Sequence, residues 1–194
     1  MGIRRTLAAS TAALVPALLA LSVLAAGGQD KPRVNADAAL SVEFLKGVQA
    51  YVDLHNKLEA TLPPRPEKAA PAEVEAHETA LAKLIVQARS QAKQGDIFPQ
   101  PVRAYFRRQI TRALAGPEGR AIRQSLTEEN PARVQLRVNS RFPDGIPLTT
   151  LPPEILGALP KLPEHLEYRF IGARLVLLDL HAQLVVDYID GALS

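Results

Sequence analysis

The sequence predicts an α+β protein, and three observations carry that prediction. Apolar side chains recur every three or four residues from about residue 38 to 126. A segment dense in Pro and Leu occupies residues 142–165. The last stretch consists of short runs of Val, Leu, Ile, Tyr and Phe separated by compact breaks. The expected order is an N-terminal helical hairpin, two further helices, the Pro-rich segment and a C-terminal three-stranded antiparallel β-meander. Residues 38–130 form the helical region. Residues 131–194 form the crossover and meander, packed with the helices into one compact domain.

Each element has its own local reason. Phe44, Val48, Tyr51, His55, Leu58 and Leu62 are spaced four, three, four, three and four apart, one stripe of a helix. The Pro63-Pro64-Arg65-Pro66 run ends it, because proline lacks the amide donor and clashes with the preceding turn. A second helix starts at Pro71, with Val74, His77, Leu81, Leu84, Ile85 and Ala88 as its stripe and Glu73, Glu75 and Glu78 near its positive end. Gly95 is the expected stop. A third helix is expected over 101–115 and a fourth over 117–126, separated by Gly116-Pro117. Alternation of Val134, Leu136 and Val138 with charged or polar neighbours predicts a fourth strand near 133–138. A helical turn is expected at 154–159. The meander strands are 167–171, 174–180 and 184–189, the middle one apolar on both faces and so covered on both.

The N-terminus reads as an export signal over residues 1–27. Arg4 and Arg5 precede an uncharged run from Leu7 to Leu24, and Ala25, Ala26, Gly27 and Gly28 supply a small-residue cleavage region. A retained anchor is the other reading, since the run approaches the ~20 residues that span a bilayer. Its Ala content, Pro16 and the small-residue exit favour cleavage. The arginine pair also fits twin-arginine export, although general secretion needs nothing further. Residues 28–37 form a polar tether. The expected location is the periplasm or the exterior, with no integral membrane span once the signal is removed.

Composition excludes several chemistries. With 47% apolar and 22% charged residues the chain is globular rather than disordered. It has no Cys, which removes disulfides, zinc–thiolate sites, iron–sulfur clusters and a thiol nucleophile. None of its serines lies in a G-x-S-x-G elbow, and no glycine-rich phosphate cradle is present. No cofactor is called for.

The segments Leu166-Glu167-Tyr168-Arg169-Phe170-Ile171-Gly172, Leu175-Val176-Leu177-Leu178-Asp179 and Leu184-Val185-Val186-Asp187 resemble the C-terminal hairpin of RcnB-like periplasmic proteins. The resemblance covers about residues 151–189. It implies a periplasmic location and a link to nickel and cobalt homeostasis, and it supplies no catalytic residue.

Two constellations carry binding chemistry. His55 and His77 lie on the stripes of the first two helices, each eleven residues from Pro66, so a hairpin sets them at one height. With Glu59 one turn after His55 and Glu73 one turn before His77, they form a candidate metal site of His55, His77, Glu73 and Glu59, or a pH-sensitive seam. The plainer reading gives each imidazole one structural hydrogen bond. His165 and His181 are expected in loop or turn roles, and Asp179 and Asp187 as caps at strand ends. The second constellation is basic: residues 103–141 hold nine arginines against three glutamates. Arg103, Arg107, Arg108 and Arg112 on the third helix form a candidate contact surface for an anionic envelope component or an acidic protein. The plainer reading is a solvated face paired with nearby acids. Nucleic acid is not an expected partner, because export removes the usual target and Tyr105 and Phe106 alone make a poor stacking platform.

The expected function is therefore that of an exported, non-enzymatic binding or scaffolding module of the envelope. A metal-handling or metal-sensing protein is the alternative, and a hydrolase comes third.

Overall fold

The helical stripes resolve into five helices in a computed structural model that describes residues 35–64, 68–128, 134–142 and 151–193. Helix α1 (Ala36–Glu59) starts two residues inside the expected tether. The Asn35 side chain accepts a hydrogen bond from Asp37 N at 3.1 Å and caps it. Its buried residues are Phe44, Val48, Tyr51, Val52 and His55. Helix α2 (Pro71–Ala88) opens with Pro71, and Glu73 accepts from Ala70 N at 2.7 Å. It ends at Ala88, ahead of the expected stop. Gly95 lies further on in a loop where its φ of +98° favours glycine.

Helix α3 (Gln100–Ala113) buries Val102, Tyr105, Phe106 and Ile110. Helix α4 spans Gly116–Glu128, and the short α5 spans Pro153–Ala158. Phe44 is the aromatic hub of the core, with its ring centroid 5.2 Å from Phe98 and 4.8 Å from Phe106.

The chain ends in strands β1 (Leu166–Ile171), β2 (Arg174–Asp179) and β3 (Leu184–Ile189), antiparallel in the order β1-β2-β3. This is the expected meander with β2 central. Leu166, Tyr168, Phe170, Leu175 and Leu177 face the helices and join their core. A bulge interrupts the β2–β3 ladder, where Leu177 pairs with Asp187 and Leu178 with Val185. The extra residue brings both Val186 and Asp187 onto the helix-facing side.

Asp187 uses that position to accept hydrogen bonds from the backbone N–H groups of Gly95, Ile97 and Phe98 at 3.0, 2.9 and 2.9 Å. It thereby fixes the loop before α3.

The other face of the sheet is covered by residues 134–142, whose Leu136 packs with Ile171, Val176 and Val185. The fourth strand expected near 133–138 does not form there. Residues 134–138 are irregular, residue 133 lies outside the described residues, and pairing begins at Asn139, whose φ is +63°. From there Asn139 N donates to Val185 O and Val185 N to Ser140 O, and Phe142 N donates to Gln183 O. The alternating Val134 and Leu136 signal burial on the sheet face rather than membership of it.

The residues read from sequence as an export signal, most of the expected tether and residues 143–150 lie outside the described residues. Among the described residues, no helix is long and apolar enough to cross a membrane.

Candidate metal centre

The stripe of α1 that seals the core also carries polar side chains at its C-terminal end. Tyr51, His55 and Glu59 are one turn apart on one face. Opposite them stands Asp179, the last residue of β2, which the alternation from Leu175 and Leu177 turns toward the helices. His55 and Asp179 are both fully buried. Asp179 Oδ2 accepts from the Tyr51 hydroxyl at 2.6 Å and lies 2.7 Å from His55 Nδ1. Its Oδ1 accepts from Ala182 N at 2.9 Å, the cap role expected for it. An ionised carboxylate only accepts, so Nδ1 of His55 carries the proton. The Nε2 edge then faces away from Asp179 toward Glu59 Oε2, 3.2 Å distant.

Glu59 is the meeting point of the cluster. Its Oε1 lies 3.3 Å from His77 Nε2 and 3.6 Å from His181 Nδ1. His165 stacks on His55 with ring centroids 4.2 Å apart, and His181 lies 5.6 Å from His55 and 5.5 Å from His165. The chain has four histidines, and all four gather here. Two of their nitrogens, His165 Nε2 and His181 Nδ1, are buried without a hydrogen-bond partner. One ligand atom each from His55, Glu59 and His181 lies within 4.8 Å of the other two.

Burial opposes every charge in the cluster, and specific partners decide the outcome. For His55, the hydrogen bond and charge of Asp179, joined by Glu59, outweigh burial and raise its pKa. Burial would raise Asp179, but hydrogen bonds from His55 and Tyr51 hold it below the usual carboxylate range. Glu59 is likewise lowered, because the hydrogen bond from His77 and the charges of His55 and His181 overcome burial. His165 goes the other way: burial and the neighbouring His55 charge lower it below its ordinary value. Burial and the adjacent Asp179 charge push Tyr51 up, so it stays a phenol and a donor.

Chemically, this is a set of imidazole nitrogens and one carboxylate without a thiol. Such a set suits borderline divalent ions such as zinc, cobalt, nickel or copper better than magnesium or calcium. The Asp179–His55 hydrogen bond is the outer-shell contact that orients a ligating imidazole and fixes its tautomer.

Of the four metal-site residues read from sequence, His55, His77 and Glu59 come together, bridged by the carboxylate. Glu73 does not join them; it caps the start of α2. Sequence reasoning missed His165, His181 and the second role of Asp179. A signal was available: in an antiparallel meander, the start of β1 and the β2–β3 turn lie at the same end of the sheet. Leu180 N in fact donates to His165 O at 2.9 Å.

Three of the four arginines of α3 have internal partners. Arg107 donates to Gly191 O and Asp190 O at 3.1 and 2.6 Å. Arg108 and Arg112 pair with Asp37 at 2.7 and 3.4 Å, and Arg103 is half-buried.

Fold and site together describe an α+β protein with a carboxylate-backed histidine centre between its helical hairpin and its sheet. No family model, curated protein or solved structure matches the chain.

Proposed function

We propose that this protein is a metal-handling protein of the periplasm or cell exterior. It binds one divalent transition-metal ion through His55 Nε2, Glu59 and His181, with a water completing the coordination. The observation that carries this reading is the gathering of all four histidines of the chain, three of them against the Glu59 carboxylate and His165 stacked on His55, with two buried ring nitrogens unpartnered. An unpaired buried nitrogen costs about 1–3 kcal/mol. A cation takes up such lone pairs and balances the two carboxylates. The resemblance of the C-terminal hairpin to RcnB-like proteins and the export signal read from the N-terminus point the same way.

Thermal unfolding of the protein with and without zinc, cobalt, nickel and copper tests this. An ion at about 100 times its Kd adds about 2.7 kcal/mol, several degrees for a domain of this size. The shift disappears in His181→Ala. No shift with any of the four ions overturns the reading.

A further inference from the structure

Strand β1 is an outer strand of the three-stranded sheet, and a groove of about 720 Å³ lies between it and α5. That volume falls within the range of about 300–1,000 Å³ typical of sites for small organic ligands. Leu151 and Leu156 line it from around α5, Leu162 from the link that follows, and Leu166 and Tyr168 from β1. The Tyr168 hydroxyl donates to Pro160 O at 3.0 Å, so its polar end is already engaged. Leu156 is 55% exposed. A lone exposed leucine is ordinary, but this one continues an apolar lining. Three charged side chains share the groove: Lys161, Glu167 and Arg169. Glu167 and Arg169 are two apart on one strand face and pair with each other. Lys161 is exposed and has no ion pair among the described residues. The groove is therefore apolar with one cation in excess. Arg169 Nε is also buried without an acceptor, so the guanidinium is only partly answered by Glu167.

We propose that this groove binds a long-chain fatty acid. The alkyl chain lies against the leucines, and Lys161 and the Arg169 charge answer the carboxylate. Each methylene taken out of water by the leucines adds to affinity, whereas a sugar or a hydrated ion would leave them without a partner. The charge balance selects the head group. One excess cation matches a monoanion, while a phosphate monoester carries close to two charges. Nothing in this binding requires a metal ion, so measurements in EDTA separate it from the histidine centre.

The test is displacement of a fluorescent fatty acid, dansyl-aminoundecanoate, by four ligands with the same alkyl chain: laurate, dodecanol, dodecyl phosphate and dodecyltrimethylammonium. It is run in EDTA on the wild type, Leu156→Glu and Lys161→Glu. Both substitutions are at exposed positions, and unfolding midpoints check that each variant is folded. Expected is saturable binding of one laurate, tenfold or more tighter than dodecyltrimethylammonium and at least threefold tighter than dodecanol. Leu156→Glu, which puts a charge into the apolar wall, should weaken laurate tenfold or more. Lys161→Glu should abolish the preference for laurate over dodecanol. No displacement by laurate overturns the proposal, and so does laurate binding that Leu156→Glu leaves unchanged. Equal affinity for laurate and dodecanol in the wild type overturns the carboxylate assignment, as does tenfold tighter binding of dodecyl phosphate. Self-association in sedimentation that Leu156→Glu removes, without laurate binding, makes a second copy of the chain the occupant and overturns it as well.

Discussion

His55 Nδ1 and Asp179 Oδ2 lie 2.7 Å apart in full burial, although 124 positions separate the two residues in the chain. The contact joins the helical hairpin to the sheet, and the same carboxylate oxygen holds the Tyr51 hydroxyl. Removing the carboxylate leaves a buried imidazole and a buried phenol without their partner. Asp179→Ala is expected to cost about 3–5 kcal/mol in urea unfolding. Tyr51→Phe, which removes one hydrogen bond to a charged group, should cost about 1.5–3 kcal/mol with an unchanged m-value. In Asp179→Asn the orienting charge is gone, and metal affinity measured by competition should fall about 10–100-fold.

The same pair sets a pH dependence in metal-free protein. His55 is raised above its ordinary 6.5, so the stability it contributes is fully present below 6.5 and lost as pH rises through its folded value. Asp179 is lowered below 3.8, so its contribution is present above 3.8 and lost as pH falls through its folded value. His165, lowered by burial, has the opposite sign to His55: its contribution is present above 6.5 and lost on acidification. Unfolding free energies of wild type and His55→Gln, compared across pH in the presence of a chelator, should differ most between 3.8 and 6.5. The difference should shrink on the alkaline side. A difference that grows above 6.5 would contradict the assigned pair.

Asp187 is the structural counterpart of Asp179 on the next strand. It accepts three backbone N–H groups of the loop before α3. Asp187→Ala leaves the Ile97 and Phe98 donors buried and unpaired, at about 1–3 kcal/mol each before relaxation, and frees the half-buried Gly95 N–H. Limited proteolysis should then cut first within residues 94–99, and the wild type should resist under the same conditions.

Gly119 is fixed by sterics alone. A Cβ there would lie 2.2 Å from the backbone oxygen of Leu114, which cannot swing aside as a side chain could. Gly119→Ala is expected to lower the unfolding free energy from urea titration by about 1–3 kcal/mol, the usual cost of overpacking. Gly157→Ala, where a Cβ meets nothing within 4 Å, serves as the neutral comparison.

The arrangement of the cluster also bears on the basic helix. Arg107, Arg108 and Arg112 bind the C-terminal carbonyls and Asp37, so α3 is tied to both ends of the described fold. A sequence shows a row of like charges. It does not show an acid 71 positions away that answers it.

The sequence by itself determined the order of the helices and of the three meander strands, though not the end of α2 or the fate of residues 134–138. The four-three stripe from Phe44 to Leu62, Pro71 as a helix start, the Gly116 break and the apolar runs of the meander all act within about four neighbours, so they are legible locally. It also determined half of the cluster, because His55, Glu59 and His77 lie on adjacent turns and across one short link. Only the tertiary structure decided the rest. The β1–β2 register brought His165 beside Leu180, the β2–β3 turn delivered His181, and the pleat turned Asp179 toward Tyr51 across 128 positions. The bulge at Val186 moved Asp187 onto the helix side, and the alternating Val134 and Leu136 became a cover for the sheet. Such contacts depend on how elements close over one another, and no spacing within a single element encodes that.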